Sequence, residues 1–294
     1  MQLFKDTLTN FNTGQYEFFG ELALLPLFGD TNVNLENLKT LEDLSKQSLI
    51  QANELSESGT VNSVQISNLS SFYAVIFDND IVEGAKQNRV SQTTVILPPH
   101  SKTNVPVYCV ERGRWSYSNK RNFSHSESSL SPKIRETKMM MMKAGQTENI
   151  QNEVWRDVDS LSAKFSAFSP TADFTNIIKD QRFSEESKII DFIQNTDAIG
   201  YAVSAGKKFF AEMFFDKDIC RRQSTKSVKS WLADTEFEVC EKIHSPTNVK
   251  RKIMSSLWQE KTAVASETPF ETSGQNDGQA TLFRNGFVHG LLYF

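Results

Sequence analysis

The sequence predicts an α+β protein with an antiparallel, sandwich-like β core, several flanking helices and a C-terminal β-hairpin that returns to the sheet. Three observations predict this fold. Between about residues 60 and 115, short apolar segments alternate with turn residues, which is typical of a β-sandwich. Between about 140 and 260, apolar residues recur mainly at the three- to four-residue spacing of helices. Between about 279 and 294, two apolar runs flank Asn285-Gly286, a strong signal of a tight hairpin.

The β-rich block contains four predicted strands. VNSVQISN (61–68) alternates with a period of two, and FYAVIF (72–77) is apolar throughout, as in a strand covered on both faces. TTVILP (93–98) and VPVYCVE (105–111) follow, each bounded by proline or polar residues. Before this block, LALLPLF (22–28) predicts a buried strand broken at Pro26.

Helices are predicted on both sides of the β-rich block. A first helix is expected to begin after Asn34 or Thr40 and to end at Gly59, and its apolar residues are Leu38, Leu41, Leu44, Ala52 and Leu55. The clearest helical stripe is Ile150, Val154, Val158, Leu161, Phe165 and Phe168, and it ends before Pro170. Further helices are expected near 188–195, 228–239 and 249–257.

Two segments between the helices have other patterns. AIGYAVSAGKKFFAEMFF (198–215) predicts a second hairpin that turns at residues 205–207. The Ser/Lys-rich stretch 116–145 has no clear pattern until Met139–Met142, and we expect a long excursion that leads into a helix. Because a terminal strand is normally held in a sheet, both chain ends are expected to share one core. We therefore predict a single domain over residues 1–294.

Composition and charge exclude several classes of protein. A net charge of −4 and a pI near 5.7 disfavour a protein that coats nucleic acid. Three cysteines, Cys109, Cys220 and Cys240, are too few for a disulfide framework and indicate a reducing compartment. The first residues do not resemble a signal peptide, and no uncharged apolar run approaches the length of a membrane span. We expect a cytoplasmic protein without a membrane partner.

The common catalytic and cofactor motifs do not occur in the sequence. Neither phosphate-binding glycine loop is present, and there is no G-x-S-x-G nucleophile elbow. The four histidines, His100, His125, His244 and His289, are scattered, and no histidine or cysteine pair has metal-ligand spacing. The sequence therefore predicts neither a metal site nor a cofactor.

Two polar cassettes stand out in the β-rich block. The first, GAKQNRV (84–90), follows Glu83 and contains Lys86, Gln87, Asn88 and Arg89, and the second, CVERGRW (109–115), contains Glu111, Arg114 and Trp115. Cations and amides of this kind bind phosphate, ribose hydroxyls or ring edges, and an indole stacks on a base. From the residues alone, a solvated turn is the favoured interpretation of the charge run, and an ordinary core position is the favoured interpretation of Trp115.

Strand alternation suggests how the second cassette is arranged. Cys109 and Glu111 share one face of the predicted strand, so Glu111 would be within reach of Arg89 if their strands are neighbours. Glu83 and Glu111 are the only acid/base candidates, no catalytic residue is assigned, and enzymatic activity stays open. Cys109 is interpreted as a buried, inert thiol because the sequence places no histidine beside it.

Together, GAKQNR and PVYCVERGRW resemble the signature of the ADP-ribosylglycohydrolase and rhodanese-phosphatase-superfamily-associated protein domain family. Weaker matches extend the resemblance over most of the chain, at VNSVQISN, QNEVW (151–155), SPT (169–171), FFAEMFF (209–215) and GFVHGLLYF (286–294). Tyr108 departs from the family, which more often has serine there. The resemblance implies a single intracellular domain associated with NAD and ADP-ribose metabolism, without an established catalytic residue.

The resemblance also implies that the two cassettes form one ligand site. Lys86, Arg89 or Arg114 would then meet a diphosphate, Trp115 an adenine, and Glu111 or Gln87 a ribose hydroxyl. We expect binding, with processing left open, of an ADP-ribose- or NAD-derived ligand. The alternative is a non-catalytic structural or protein-interaction domain, with a protein partner or a second copy of the chain. Nucleic-acid binding through Arg114-Trp115 and the basic stretch 133–143 is disfavoured by the acidic total.

Overall fold

The structure, a computed structural model, describes residues 8–31, 36–57, 59–117, 123–167, 169–235, 243–261, 268–272, 277–284 and 286–294. It is an α+β fold, as the sequence predicts. The helices within these residues are α1 (Leu41–Lys46), α2 (Pro132–Lys143), α3 (Ile150–Lys164), α4 (Phe174–Lys179), α5 (Glu186–Gln194), α6 (Lys217–Thr235) and α7 (Pro246–Ser255), with a 3-10 turn at Thr147–Asn149.

The strands lie mainly in the first half of the chain and at its end. In chain order they are β1 (Leu8–Thr13), β2 (Glu17–Phe19), β3 (Leu22–Thr31), β4 (Leu38–Thr40), β5 (Ile50–Asn53), β6 (Ser63–Asn68), β7 (Tyr73–Ile76), β8 (Asp80–Gly84), β9 (Arg89–Ser91), β10 (Val95–Leu97), β11 (Ser101–Cys109), β12 (Phe123–Ser129), β13 (Gly200–Ala205), β14 (Lys208–Phe214), β15 (Trp258–Glu260), β16 (Thr268–Thr272), β17 (Asp277–Phe283) and β18 (Gly286–Tyr293).

The chain divides into two compact units. The first comprises residues 1–35, 131–139 and 182–294, and the second comprises 36–130 and 140–181. Each unit combines residues that are distant along the chain, so neither corresponds to a simple half of the sequence. That the chain acts as one domain stays a prediction.

The first unit is built on a nine-stranded antiparallel sheet. Eight strands follow the order β1-β3-β13-β14-β18-β17-β16-β15, and β2 pairs with β3. The hairpin predicted at 198–215 is present as β13 and β14, with Gly206 in the turn at a φ of +57°. The C-terminal hairpin is present as β17 and β18, while Asn285 lies outside the described residues.

The two ends of the sequence share the core of this unit, as predicted. Phe11 of β1 and Leu292 of β18 belong to one cluster of buried apolar side chains. Helix α7 adds Val249 and Ile253 to the same cluster. Two details differ from the sequence prediction, because β3 continues through Pro26 and Leu257 lies beyond the end of α7, where it is exposed.

The second unit contains two sheets that enclose one core. The larger has six strands in the order β12-β8-β9-β11-β6-β5, and the smaller has three in the order β10-β7-β4. Val64 and Val105 from the larger sheet and Ala74 and Leu97 from the smaller belong to one buried cluster. The predicted sandwich is therefore confirmed, although β4 and β7 pair in parallel.

Helix α3 has the predicted stripe, and its residues Ile150, Val154, Val158 and Leu161 are buried. Phe168, the last residue of that stripe, lies outside the described residues. Within the described part of the chain, no helix is long and apolar enough to cross a membrane.

The helix predicted up to Gly59 is much shorter in the structure. Thr40 caps α1 and forms a reciprocal capping box with Asp43, as one of the two alternatives predicted, while Asn34 lies outside the described residues. The chain leaves the helical conformation at Ser48, whose φ is +57°, and then pairs β5 with β6. Ala52 therefore lies in a strand that pairs with β6, although its spacing from the earlier apolar residues is also that of a helix.

The Ser/Lys-rich stretch contains a strand that its sequence does not predict. Residues 123–129, FSHSESS, form β12 and pair with β8 at the edge of the six-stranded sheet. Four of its seven residues are buried, and three of these are serines (Ser126, Ser128 and Ser129), which explains why no apolar alternation marks the segment. The helix expected after it is present as α2.

Candidate functional site

The two cassettes lie side by side in the second unit. Strand β9 begins at Arg89 and pairs with β11, so that Arg89 stands opposite Cys109. Strands β8 and β9 pair as well, and residues 85–88 form the turn between them. The strand ends therefore meet as the sequence suggested. The turn is tight, with φ values of +129° at Gly84 and +40° at Ala85.

Asn88 joins the first cassette to two other segments. Its Oδ1 accepts a hydrogen bond from the Gly84 backbone N–H at 2.9 Å, which closes the turn. Its own backbone N–H donates to Glu111 Oε2 at 3.1 Å. Its Nδ2 donates to Asp173 Oδ1 at 3.1 Å and to Thr175 Oγ1 at 3.2 Å. The amide of Asn88 is thus fully used within the protein.

Glu111 is paired with Arg114 rather than with Arg89. Arg114 Nε donates to Glu111 Oε1 at 2.9 Å, and Nη2 donates to Oε2 at 2.6 Å. The same guanidinium donates to the carbonyls of Gly84 and Ala85 in the first cassette. This fork-shaped contact suits arginine, whose planar group can donate to two oxygens at once.

Arg89 is fully buried, and its acidic partner is Glu54. Nη2 of Arg89 lies 3.5 Å from Glu54 Oε1, and Nη1 donates to Gln87 Oε1 at 3.3 Å. The sequence left open a pairing of Arg89 with Glu111 if their strands are neighbours. The strands do pair, but each side chain has another partner: Arg114, three residues after Glu111, binds that carboxylate, while Glu54 follows β5 and reaches Arg89.

Trp115 lies over the cations of the first cassette. The centre of its ring is 5.5 Å from the Arg89 guanidinium carbon and 5.6 Å from Lys86 Nζ. Lys86 Nζ is also 5.3 Å from the centre of the Tyr117 ring. Trp115 is 44% exposed and Tyr117 is 37% exposed, whereas Arg89 and Lys86 are buried. The result is an aromatic surface with two cations behind it.

Glycine is required where the backbone passes this surface. Gly59 has a φ of +73°, and a Cβ there would lie 3.0 Å from Lys86 Cδ and 3.3 Å from Trp115 Cζ2. The same Cβ would lie 3.3 Å from Glu54 Oε2. The backbone at residue 59 therefore packs directly against the group formed by Glu54, Lys86 and Trp115.

The seven predicted ligand-binding residues lie close together and form what we call the cassette cluster: Lys86, Gln87, Asn88, Arg89, Glu111, Arg114 and Trp115. Gln87 completes it by donating from Nε2 to the Arg112 carbonyl at 3.1 Å. Glu83, the other acid/base candidate, has different partners, since its carboxylate accepts from Lys179 Nζ at 2.8 Å and from Ser126 Oγ.

Sequence reasoning missed Glu54, Asp173 and Thr175. Asp173 caps α4, where its side chain accepts from the Thr175 backbone N–H at 3.0 Å. An aspartate directly before the apolar run FTNII is a typical N-cap, and this signal predicts a helix start, although it does not predict the contact with Asn88. Nothing local distinguishes Glu54 from a solvated acidic residue.

Burial changes the acidity of two groups in the cluster. Burial, aided by the nearby Glu111 charge, raises the pKa of the Asp173 carboxyl above its usual value, although hydrogen bonds from Thr175 and Asn88 oppose the rise. Burial also raises the pKa of the Cys109 thiol to about 11, and the neighbouring Arg89 charge offsets only part of that effect. Cys109 is therefore a protonated, weak nucleophile.

The first unit contains its own buried charged group. Arg135 Nη1 and Nη2 donate to the two carboxylate oxygens of Glu212 at 3.0 and 2.7 Å. Nε2 of His289 lies 3.0 Å from Glu212 Oε1. Burial alone would raise the pKa of Glu212, but the Arg135 charge and the hydrogen bonds outweigh it and hold that pKa below its usual value.

The comparisons with known proteins agree with the motif resemblance. Residues 10–293 match the family described as ARG and Rhodanese-Phosphatase-superfamily-associated Protein domain. No curated protein and no solved structure is significantly similar to the chain. The family match covers both cassettes and nearly the whole length of the sequence. The chain therefore belongs to the family of ARG and Rhodanese-Phosphatase-superfamily-associated Protein domains.

Proposed function

We propose that the cassette cluster of the second unit binds an ADP-ribose- or NAD-derived nucleotide ligand. The observation that carries the proposal is the position of Trp115, which is exposed to solvent while its ring lies 5.5 Å from the fully buried Arg89 guanidinium. A cation behind an aromatic ring fixes the ring in place and leaves its exposed part available for stacking. Base–aromatic stacking contributes about 1–3 kcal/mol to nucleotide binding.

Lys86 supplies the charge that a nucleotide requires. Its ammonium group lies close to both the Trp115 and Tyr117 rings, 5.6 and 5.3 Å from their centres. An ammonium group is a compact positive charge and suits a phosphate oxygen. A ligand whose base stacks on the aromatic pair would bring its first phosphates toward Lys86.

Glu54 supplies an acceptor for a ligand hydroxyl. Its Oε2 is buried and has no hydrogen-bond partner among the described residues, whereas Oε1 accepts from the Lys86 backbone N–H at 3.2 Å. A buried oxygen without a donor costs about 1–3 kcal/mol, so a ligand hydroxyl that donates to it would be favoured. The 2′- and 3′-hydroxyls of a ribose are donors of this kind.

A second candidate function is structural, and one observation favours it. Asn88, Glu111 and Arg114 are hydrogen-bonded to one another and to the backbone of the first cassette. Such a network stabilises a turn without any ligand. In that case the cassettes would serve only to join the strand ends, and the family motif would reflect folding rather than recognition.

Calorimetric titration with ADP-ribose tests the proposal. The wild-type protein is expected to bind saturably, and Trp115→Ala is expected to weaken binding by at least about tenfold because the stacking surface is lost. Trp155→Ala is the matched control, since Trp155 lies in the same unit and also has a guanidinium, that of Arg112, 5.8 Å from its ring centre. The affinity of Trp155→Ala for ADP-ribose should equal that of the wild type.

One further ligand separates the contributions of base and phosphate. Ribose 5-phosphate lacks the base, so its weaker binding should be insensitive to Trp115→Ala but sensitive to Lys86→Ala. The proposal is overturned if the folded wild-type protein binds neither ADP-ribose nor NAD at millimolar concentration. The structural function would then be the remaining explanation of the cassettes.

A further inference from the structure

We propose that the second unit has another ligand site, a pocket that binds an uncharged, hydroxyl-bearing ligand of nucleoside size. The pocket has a volume of about 310 Å³ and is partly enclosed. Its lining residues come from α1, β5, β8 and β12 and from the turn at Ser48, and none of the seven cassette residues lines it. The inference is independent of ADP-ribose binding at Trp115.

The pocket results from the way the six-stranded sheet curls. Strands β12 and β5 are the two ends of the strand order, yet they lie in contact with each other. Helix α1 packs against both of them. A sheet that curls without closing leaves a gap between its edges, and a helix over that gap converts it into a pocket. Ligand sites are common at the mouths of such curled sheets.

One part of the pocket is apolar and belongs to the core of the unit. It is formed by Leu41, Ile50, Ala52, Val82 and Phe123. All of these side chains belong to, or pack against, the buried cluster between the two sheets. The apolar wall is therefore rigid, and it suits a flat or ring-shaped ligand better than a flexible chain.

The other part of the lining is polar and open to solvent. Ser45, Ser48 and Gln51 line the pocket, Ser48 and Gln51 are exposed, and among the described residues none of these three side chains takes part in a hydrogen bond. Ser124 lines the pocket with a hydroxyl that makes one long hydrogen bond, 3.4 Å to the Glu83 carbonyl. Hydroxyls and amides can both donate and accept, so they match a ligand that also does both.

His125 adds a ring whose orientation is fixed. Its Nε2 lies 3.7 Å from Asp80 Oδ1, and its side chain is mostly buried. A carboxylate beside one nitrogen orients the imidazole. His125 lines the pocket, as does Ser124, the preceding residue of the same strand.

The charge of the lining determines the class of ligand. None of the described lining residues is a lysine, arginine, aspartate or glutamate. A phosphate or carboxylate entering the pocket would lose water without gaining a formal counter-charge, which is unfavourable. The volume lies at the lower end of the ~300–1,000 Å³ range for small-molecule sites. A neutral nucleoside fits these limits better than a dinucleotide.

Titration with adenosine and with AMP tests the site. The wild type is expected to bind adenosine, and to bind AMP at least several-fold more weakly at this site because of its phosphate. Ser45→Phe, which fills the pocket from the surface of α1, should abolish adenosine binding. Gln51→Ala should weaken it about fivefold, the loss expected for one hydrogen bond between neutral groups.

Gln47→Ala is the matched control for Gln51→Ala. Gln47 is an exposed glutamine at the end of α1 that donates to the Asp43 carbonyl, and it does not line the pocket. The affinity of Gln47→Ala for adenosine should equal that of the wild type. Circular dichroism and thermal melting establish that each variant is folded, and Gln51→Ala provides the test if Ser45→Phe does not fold.

The same titrations distinguish binding in this pocket from binding at the cassette cluster. Adenosine binding that survives Trp115→Ala and is lost in Ser45→Phe supports the pocket, whether or not ADP-ribose binds elsewhere. The inference is overturned if adenosine does not bind, if AMP binds more tightly than adenosine in the Trp115→Ala background, or if folded Ser45→Phe binds adenosine as the wild type does.

Discussion

Arg114 donates two hydrogen bonds to Glu111, one to each carboxylate oxygen, at 2.9 and 2.6 Å. Both side chains are largely withdrawn from water, with 17% of Arg114 and 4% of Glu111 exposed. Because Glu111 also accepts from the Asn88 backbone N–H, the pair connects the second cassette to the turn of the first. The two sequence motifs are therefore one structural element, whatever else they do.

Loss of Arg114 should destabilise the protein strongly. Arg114→Ala leaves the buried Glu111 carboxylate without its cation, and removal of one partner of a buried pair costs about 3–5 kcal/mol. Arg114→Lys should cost less, because an ammonium group keeps the charge but not the fork of donors. Urea denaturation, followed by circular dichroism, measures the free energy of unfolding.

The neighbouring arginine provides the control. Arg112 Nη1 lies 2.9 Å from Asp159 Oδ2, but both side chains are about half exposed. Exposed pairs contribute about 0–1 kcal/mol, so Arg112→Ala should have little effect. Equal losses in the Arg112 and Arg114 variants would contradict the structural role of the Arg114–Glu111 pair.

The sequence predicted those parts of the fold that depend on local periodicity. The alternation in residues 61–68 and the stripe Ile150, Val154, Val158 and Leu161 need only neighbouring residues to be recognised, and both elements are present. The helix through Ala52 was wrong because the same apolar spacing also satisfies a short strand, and pairing of β5 with β6 is not visible locally.

The sequence predicted that the two cassettes meet, but it did not predict which side chains pair. That the cassettes meet follows from two strands bounded by turns, whereas the choice of partners depends on long-range packing. Glu54 and Arg89 are 35 positions apart and meet only in the folded sheet. Asn88 and Asp173 are 85 positions apart. No pattern in the sequence distinguishes such contacts from solvated charges.

Cys109 should be unreactive in the folded protein. Burial raises the pKa of its thiol to about 11, so almost no thiolate is present near neutral pH. Iodoacetamide at pH 7.5 should therefore modify Cys109 only after unfolding in urea, as peptide-resolved mass spectrometry can measure. Ser116→Cys places a thiol at an exposed position of the same segment and is the reactive control. Modification of native Cys109 at the rate of that introduced thiol would refute its burial.

Asp173 should make the protein less stable as the pH rises above about 4, the opposite of what a salt-bridged carboxylate does. Burial and the Glu111 charge raise the pKa of this carboxyl in the folded state, so folding favours its protonated form. In the unfolded chain an aspartate ionises near pH 3.9. As the pH rises from that value through the raised folded pKa, the unfolded state loses its proton first, and the protein loses stability.

Comparison with Asp173→Asn isolates this effect. Asparagine can still cap α4 and accept from the Thr175 backbone N–H, but it does not titrate. The free energy of unfolding of the wild type minus that of the variant should fall between about pH 4 and the folded pKa, by about 1.4 kcal/mol for each unit of the shift, and stay constant above it. Urea titrations at constant ionic strength measure this difference. A difference that rises with pH would mean that the hydrogen bonds from Asn88 and Thr175 outweigh burial, and that the ionised carboxylate is the form that folding prefers.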